Sequence, residues 1–199
     1  MTSNLKLETH GYHKPVMLKE CIDALKINPE GTYVDATFGG GGHSLAMLEH
    51  IKGGRLIAFD QDEDAQREAT KITHRSFTFC HANFRHLKRF LKLNGVTKVN
   101  GILADLGISS HQIDEPTRGF STRYDGPLDM RMDKNGPVTA AKVVSEYDEA
   151  ALHKILGMYG EVKNARTVAK AIVQERATKK ITRTEDLRQL LSRFAPRGK

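Results

Sequence analysis

Four consecutive glycines, Gly39 to Gly42, separate the apolar run Tyr33-Val34-Asp35-Ala36-Thr37-Phe38 from a second apolar stretch, Ser44-Leu45-Ala46-Met47-Leu48. A strand over 32–36, a tight glycine turn and a helix over 44–51 follow from this pattern, which is the opening of a nucleotide-binding βαβ unit. Glycine has no Cβ, so such a turn accepts positive φ and lets a ligand approach the backbone closely. About twenty residues on, Leu56-Ile57-Ala58-Phe59 ends in Asp60. In this fold an acid at that position holds the hydroxyls of a ribose. The competing reading is a plain glycine turn with a surface Asp.

The ligand is narrowed by what surrounds the turn. A dinucleotide fingerprint, G-x-G-x-x-G, seats a pyrophosphate on a helix N-terminus. Gly39 and Gly41 meet its first two positions, but Ser44 stands at the third. Asp35, Asp60 and Asp105 each lie at or near a strand end, and carboxylates around one pocket repel a pyrophosphate and favour a cation. S-adenosylmethionine carries a sulfonium, an ammonium and a ribose, so the residues point to a methyl donor rather than to NAD.

Strands at about 32–36, 55–59, 76–80 and 98–105 alternate with helices at 44–51, 62–74 and 85–93. This predicts an α/β fold with a parallel sheet and helices on both faces. A helix over Pro15–Leu25 precedes it. Residues 106–137 carry four glycines and three prolines with no clear period, which is too long for an ordinary connection and reads as a functional loop. Helices follow at 139–146, 148–158, 164–176 and 184–194. The expected organisation is a cofactor domain over 1–110, a substrate and cofactor loop over 111–137, and a helical recognition domain over 138–199.

Charge sets the expected partner. Val162 to Lys199 hold 11 Lys or Arg against 3 Asp or Glu, whereas the preceding 161 residues hold 20 basic and 21 acidic. The net charge of +7 therefore resides in the last fifth of the chain, a pattern that attracts a polyanion such as nucleic acid. A solvated helix face is the alternative. Cys21 and Cys80 have no metal-ligand or redox spacing and are expected as buried thiols in a reducing cytosol. No metal site is expected. Residues 1–10 have neither a signal-peptide nor a transit-peptide pattern, and no apolar run is long enough to span a membrane.

Beyond Asp105 comes Leu106-Gly107-Ile108-Ser109-Ser110. An exocyclic amine conjugated to a ring is a poor nucleophile, so a site that methylates it must accept its hydrogens and align its lone pair. Asp105 is the candidate acceptor, with orientation of the cofactor as its alternative role.

These motifs together resemble the bacterial ribosomal RNA small-subunit methyltransferase H, or MraW, family. The matching segments are Tyr12–Leu18, Asp35–Gly39 with His43-Ser44, Phe59–Asp62, Asp105–Ser110, Arg118–Ser121, Gly126–Asp133, Tyr159–Glu161 and Ile181–Thr184. The resemblance implies a Rossmann-like class I methyltransferase sheet, here of about four strands, with a helical recognition domain. It also implies S-adenosylmethionine as donor and N4 of a cytidine in small-subunit ribosomal RNA, within the small ribosomal subunit, as target. Carried over by position, Gly41, Gly42, His43, Asp60, Phe84, Asp105 and Gln112 are the cofactor contacts. Ser109, Arg118, Phe120, Asp129 and Arg131 are the candidate substrate contacts. Helix packing competes for Phe84, and capping of the following helix competes for His43.

The chain departs from the family at His111, where proline is usual, and in length, since members continue with further helices and strands. The resemblance implies a sheet order 3-2-1-4 with later strands beside the fourth. In a chain of this length that leaves residues 99–105 on an exposed edge, and it predicts self-association through that edge, weak donor binding, and weak or absent turnover. A non-catalytic RNA-binding fragment and another nucleotide-dependent enzyme, such as a reductase, are the rival classes.

Overall fold

The computed structural model describes residues 15–194. Tyr12, His13 and Lys14 of the first matching segment, and Arg197 and Lys199 of the basic tail, lie outside the described residues. The elements are α1 (Leu18–Leu25), β1 (Thr32–Asp35), α2 (Gly42–His50), β2 (Arg55–Asp60), α3 (Glu63–Ala69), β3 (Phe77–His81), α4 (Leu87–Leu93), β4 (Gly101–Leu103), α5 (Ser110–Asp114), α6 (Ala140–Glu146), α7 (Glu149–Met158), α8 (Ala165–Arg176) and α9 (Thr184–Ser192). The chain divides into two compact units, one of residues 1–109 with 132–134, the other of 110–131 with 135–199.

The first unit is built on a four-stranded sheet of order β3-β2-β1-β4. All pairings are parallel, with Asp35 opposite Ala58 on one side and Leu103 on the other. Side chains alternate across each strand, so a strand buried on both faces reads as a continuous apolar run. Tyr33, Leu56 and Ala58 join Met47, Leu48, Ala65 and Ile72 in the core on one face. Val34, Ile57 and Phe59 join Cys80, Leu91 and Val96 on the other. Helices α2 and α3 therefore cover one face and α4 the other. Cys80 is buried, Cys21 is half-buried, and neither is in a disulfide; burial pushes the Cys80 thiol up.

Four boundaries differ from expectation, each for a local reason. Helix α1 starts at Leu18 rather than Pro15 because Met17 takes a left-handed conformation, φ 50°. Helix α3 stops at Ala69 rather than near residue 74. Thr70 turns its hydroxyl back onto the Arg67 carbonyl, and the β-branched residues that follow are poor helix formers. Strand β4 covers only 101–103, because the Asp105 amide leaves the ladder to donate to Thr37 Oγ1 at 2.7 Å. The segment 106–137 is not irregular throughout: it contains α5 and a 3-10 turn at Pro116–Arg118. Elements of five and three residues are too short to leave a periodic signal.

The second unit is helical. Its core collects Leu128, Val144, Leu152, Val168, Ala169, Ile172, Ile181 and Leu190. Thr139 and Asp148 cap α6 and α7 by accepting from the Lys142 and Ala151 amides. Such caps satisfy amides that have no partner within the helix. Among the described residues no helix is long and apolar enough to cross a membrane.

Candidate functional site

In a parallel sheet every strand delivers its carboxyl end to the same edge, which is where open α/β sheets bind ligands. Here that edge collects the residues after β1, β2, β3 and β4. The turn after β1 is anchored by Phe38, whose buried ring packs edge-on against Phe79 with centroids 5.2 Å apart. Gly39 and Gly41 both take positive φ, +53° and +80°. A Cβ on Gly41 would come within 2.7 Å of the Phe38 ring, whereas one on Gly39 would meet nothing within 4 Å. Position 41 is therefore confined to glycine by both backbone and packing, while Gly39 faces open space at the sheet edge.

Asp60, the last residue of β2, is pinned against this turn. Its Oδ2 accepts the Gly39 amide at 2.8 Å and its Oδ1 accepts the Asp62 amide at 3.0 Å. Each carboxylate oxygen keeps a further lone pair, so the group holds a fixed pose with acceptor capacity to spare. Burial raises its pKa above the ordinary 3.8, against the lowering effect of those amides.

Asp35 plays a different part. It is fully buried and accepts the Ser44 hydroxyl at 2.7 Å and the Thr37 amide at 3.0 Å. Desolvation raises its pKa too. Ser44, the residue at the third fingerprint position, is thus needed for its hydroxyl, which glycine lacks. Gly42 and His43 form the first turn of α2. The His43 ring is buried and its Nε2 donates to the Val16 carbonyl at 3.2 Å, tying the turn to the segment before α1 rather than capping α2.

Phe84 opens a 3-10 turn just after β3 and is 44% exposed, so its ring is not taken up by core packing. Asn83 before it donates to Gln61 Oε1 at 2.9 Å, and His81 Nε2 donates to the Gln61 carbonyl, joining the loops after β2 and β3. Asp105 is exposed and held over the end of β1 through its amide and Thr37. Gly41, Gly42, His43, Asp60, Phe84 and Asp105 therefore all belong to the first unit at one sheet edge, and Ser109 is the last residue of that unit's main segment.

Gln112, Arg118, Phe120, Asp129 and Arg131 belong to the second unit. Gln112 is buried on α5. Arg131 makes a two-pronged pair with Asp129, Nε to Oδ1 at 2.8 Å and Nη2 to Oδ2 at 2.7 Å, while its Nη1 donates to the Gly136 carbonyl. Arg131, and then Arg118, hold the Asp129 carboxyl below its ordinary range. The Arg118 side chain is buried, donates to the Arg131 carbonyl at 2.9 Å, and lies 5.9 Å from the Phe120 ring centroid.

Two features of the site escaped sequence reasoning: the Asp35–Ser44 bond and the Thr37 tether on Asp105. The spacing Asp35-x-Thr37 signals only the local turn in which Asp35 accepts the Thr37 amide; the bond to Ser44 reaches across the glycine turn and carries no such signature. The second joins residues 68 apart in sequence and has no local signal.

The family model described as the MraW methylase family matches residues 10–199. Over 188 residues the chain is 61% identical to the ribosomal RNA small subunit methyltransferase H of Cytophaga hutchinsonii, covering 94% of this chain and 63% of that protein. The protein of the same name from Flavobacterium psychrophilum is 54% identical over 184 residues, covering 92% of this chain and 62% of its own length. That from Bacteroides fragilis is 53% identical over 178 residues, with coverages of 89% and 58%. The chain thus spans about three fifths of the length of these relatives.

Proposed function

The chain belongs to the MraW methylase family, and on that premise we propose that it transfers a methyl group from S-adenosylmethionine to N4 of a cytidine in small-subunit ribosomal RNA. The observation that carries this reading is the pinned Asp60 beside a positive-φ glycine turn, in a rim that carries carboxylates at three strand ends. That rim suits a ribose on a cationic ligand and opposes a pyrophosphate.

In this reading Asp60 receives the ribose hydroxyls, and Gly41 and Gly42 let the backbone approach the donor. His43 keeps the turn in place, Phe84 flanks the adenine, and Gln112 completes the cofactor contacts. The bound donor supplies an electrophilic methyl group on a sulfonium. Asp105 accepts a hydrogen of the cytosine amine, directing the nitrogen lone pair at the methyl carbon. Asp105 would take the amine proton as that nitrogen gains the methyl group and the donor leaves as the neutral thioether. Ser109 and Phe120 contact the base. Arg118, Asp129 and Arg131 act by holding their segment in shape, since the Arg131 fork is already committed to Asp129.

Incubation with tritium-labelled donor and purified small subunits, followed by nucleoside analysis, tests the reading. Label in N4-methylcytidine supports it. Label in another nucleoside, or none in a single turnover with RNA bound, sinks it in favour of a different methylation or of an RNA-binding protein without catalysis. Calorimetric binding of NADH in place of the methyl donor would instead favour a reductase.

The RNA partner is supported by the outer face of α8 and the residues before it. Lys163, Arg166 and Lys170 are exposed, spaced at helical intervals, and make no ion pair among the described residues. If they meet phosphates, RNA affinity falls steeply with salt through counterion release. Reversing all three charges is expected to flatten that dependence and leave donor binding intact. A slope that does not move returns this face to solvent.

Self-association belongs to the proposal as well. Among the described residues β4 has a strand neighbour on one side only, and Ile102 is 51% exposed. An unpaired strand edge is a template for another strand. Light scattering is expected to find species larger than a monomer, and Ile102→Lys is expected to reduce them; a monodisperse monomer contradicts this.

A further inference from the structure

The near-neutral charge of the first 161 residues is a sum over unlike parts. Residues 69–104 contain seven Lys or Arg and not one Asp or Glu. The structure places four of the seven on one turn-and-helix stretch. Between β3 and β4 the chain passes through the 3-10 turn Phe84–His86 into α4, whose Leu87, Phe90 and Leu91 enter the core beneath β1 and β2. The opposite face presents Arg85, Lys88, Arg89 and Lys92, all exposed, at the i, i+3, i+4, i+7 spacing of one helix side. Lys98 is exposed in the loop that follows.

None of these five is in an ion pair among the described residues, and their one side-chain hydrogen bond there runs from Arg85 Nε to the neighbouring His86 ring. Other surface cations of the chain are paired, Arg67 on Asp64, Lys71 on Glu68, Lys179 on Asp186, Arg183 on Asp125, Arg188 on Glu185 and Arg193 on Glu175, whereas this strip shares its unpaired state among the described residues with the Lys163, Arg166 and Lys170 face. Four like charges on two helical turns repel one another, and a helix gains nothing from them by itself. Their placement relative to the site is also defined. The strip starts beside Phe84, at the sheet edge where Asn83 is bonded to Gln61, and runs from there about 10 Å along the helix.

We propose that the outward face of the turn Phe84–His86 and α4, with Arg85, Lys88, Arg89 and Lys92, binds the RNA sugar–phosphate backbone. This inference rests on the RNA substrate proposed above and adds to it a second contact within the cofactor unit, separate from α8. It leads the backbone to the same sheet edge that presents Asp60 and Asp105. The contacts are with phosphates, so they carry position and affinity but no base preference.

The test is the salt dependence of binding to a labelled small-subunit ribosomal RNA fragment, followed by fluorescence anisotropy. Lys88→Ala/Arg89→Ala/Lys92→Ala is expected to make the slope of log K against log salt shallower by about 2, since each phosphate neutralised on a single strand contributes roughly 0.7. Donor affinity by calorimetry stays unchanged, because none of the three lies among the cofactor contacts. Lys88→Arg/Lys92→Arg keeps the wild-type slope. An unchanged slope in the alanine triple, with the α8 charge reversal still flattening it, overturns the α4 contact and spares the RNA reading. Absence of salt-dependent binding by the wild-type chain overturns both.

Discussion

Asp60→Ala is expected to weaken S-adenosylmethionine binding more than any substitution of a surface Asp. A charge-assisted pair of hydrogen bonds from ribose hydroxyls to a fixed carboxylate is worth about 1.5–3 kcal/mol, or roughly 10- to 150-fold in affinity. The wild-type carboxylate is already positioned by the Gly39 and Asp62 amides, so little ordering is required on binding. The same contact sets a pH dependence. Burial raises the Asp60 pKa from 3.8, and the ribose needs the ionised form. Donor affinity therefore declines on acidification, beginning above the pH at which a solvated Asp would titrate. Stability moves the other way. An acid whose folded pKa is raised favours the folded state below the unfolded value and loses that contribution as pH rises through the folded pKa. Acidification thus weakens binding through Asp60 while the contributions of Asp35 and Asp60 to stability grow. Isothermal titration of donor at several pH values, for wild type and Asp60→Ala, reads the binding effects. Unchanged affinity in the variant, or a wild-type affinity flat down to pH of about 4, refutes the ribose assignment.

Arg118→Ala is expected to destabilise the second unit by about 1–3 kcal/mol, the cost of leaving the Arg131 carbonyl without its donor while Asp129 keeps its Arg131 pair. The side chain is 3% exposed. Its loss removes the donor to the Arg131 carbonyl, the guanidinium near Phe120 and one of the two cations that hold Asp129 ionised. Arg118→Lys keeps the charge without the planar fork and restores only part of the loss. For a domain of this size each kcal/mol is worth several degrees of melting temperature. Thermal unfolding followed by circular dichroism is therefore expected to show a fall on the order of 10 °C. An unchanged melting curve together with lost methyl transfer would mean that Arg118 acts on substrate rather than on its own segment.

The sequence by itself determined the class of fold and the place to look. Alternation of apolar runs with helical periods suffices for a parallel sheet, because buried parallel strands must be apolar on both faces and their crossovers must be helical. A run of glycines after the first strand, with an acid ending the second, marks the carboxyl edge for the same reason: these are backbone requirements of a tight turn, met by residues near in sequence. The candidates Gly41, Gly42 and Asp60 were legible on that ground. Family resemblance supplied the sheet order and the remaining candidates, among them Phe84 and Gln112.

Tertiary structure decided whatever depends on partners distant in sequence. The Thr37 hydroxyl shortens β4 and holds Asp105, the Ser44 hydroxyl explains a missing glycine, and the Val16 carbonyl engages His43. A charge count along the chain assigned every surplus cation to the last fifth. It could not see that α4 turns Lys88, Arg89 and Lys92 outward together, because summing charge over a segment discards the helical phase and the pairing that determine what solvent meets. Arg118 in the sequence is an arginine like its neighbours. Only packing reveals which guanidinium is buried and which is open to a phosphate.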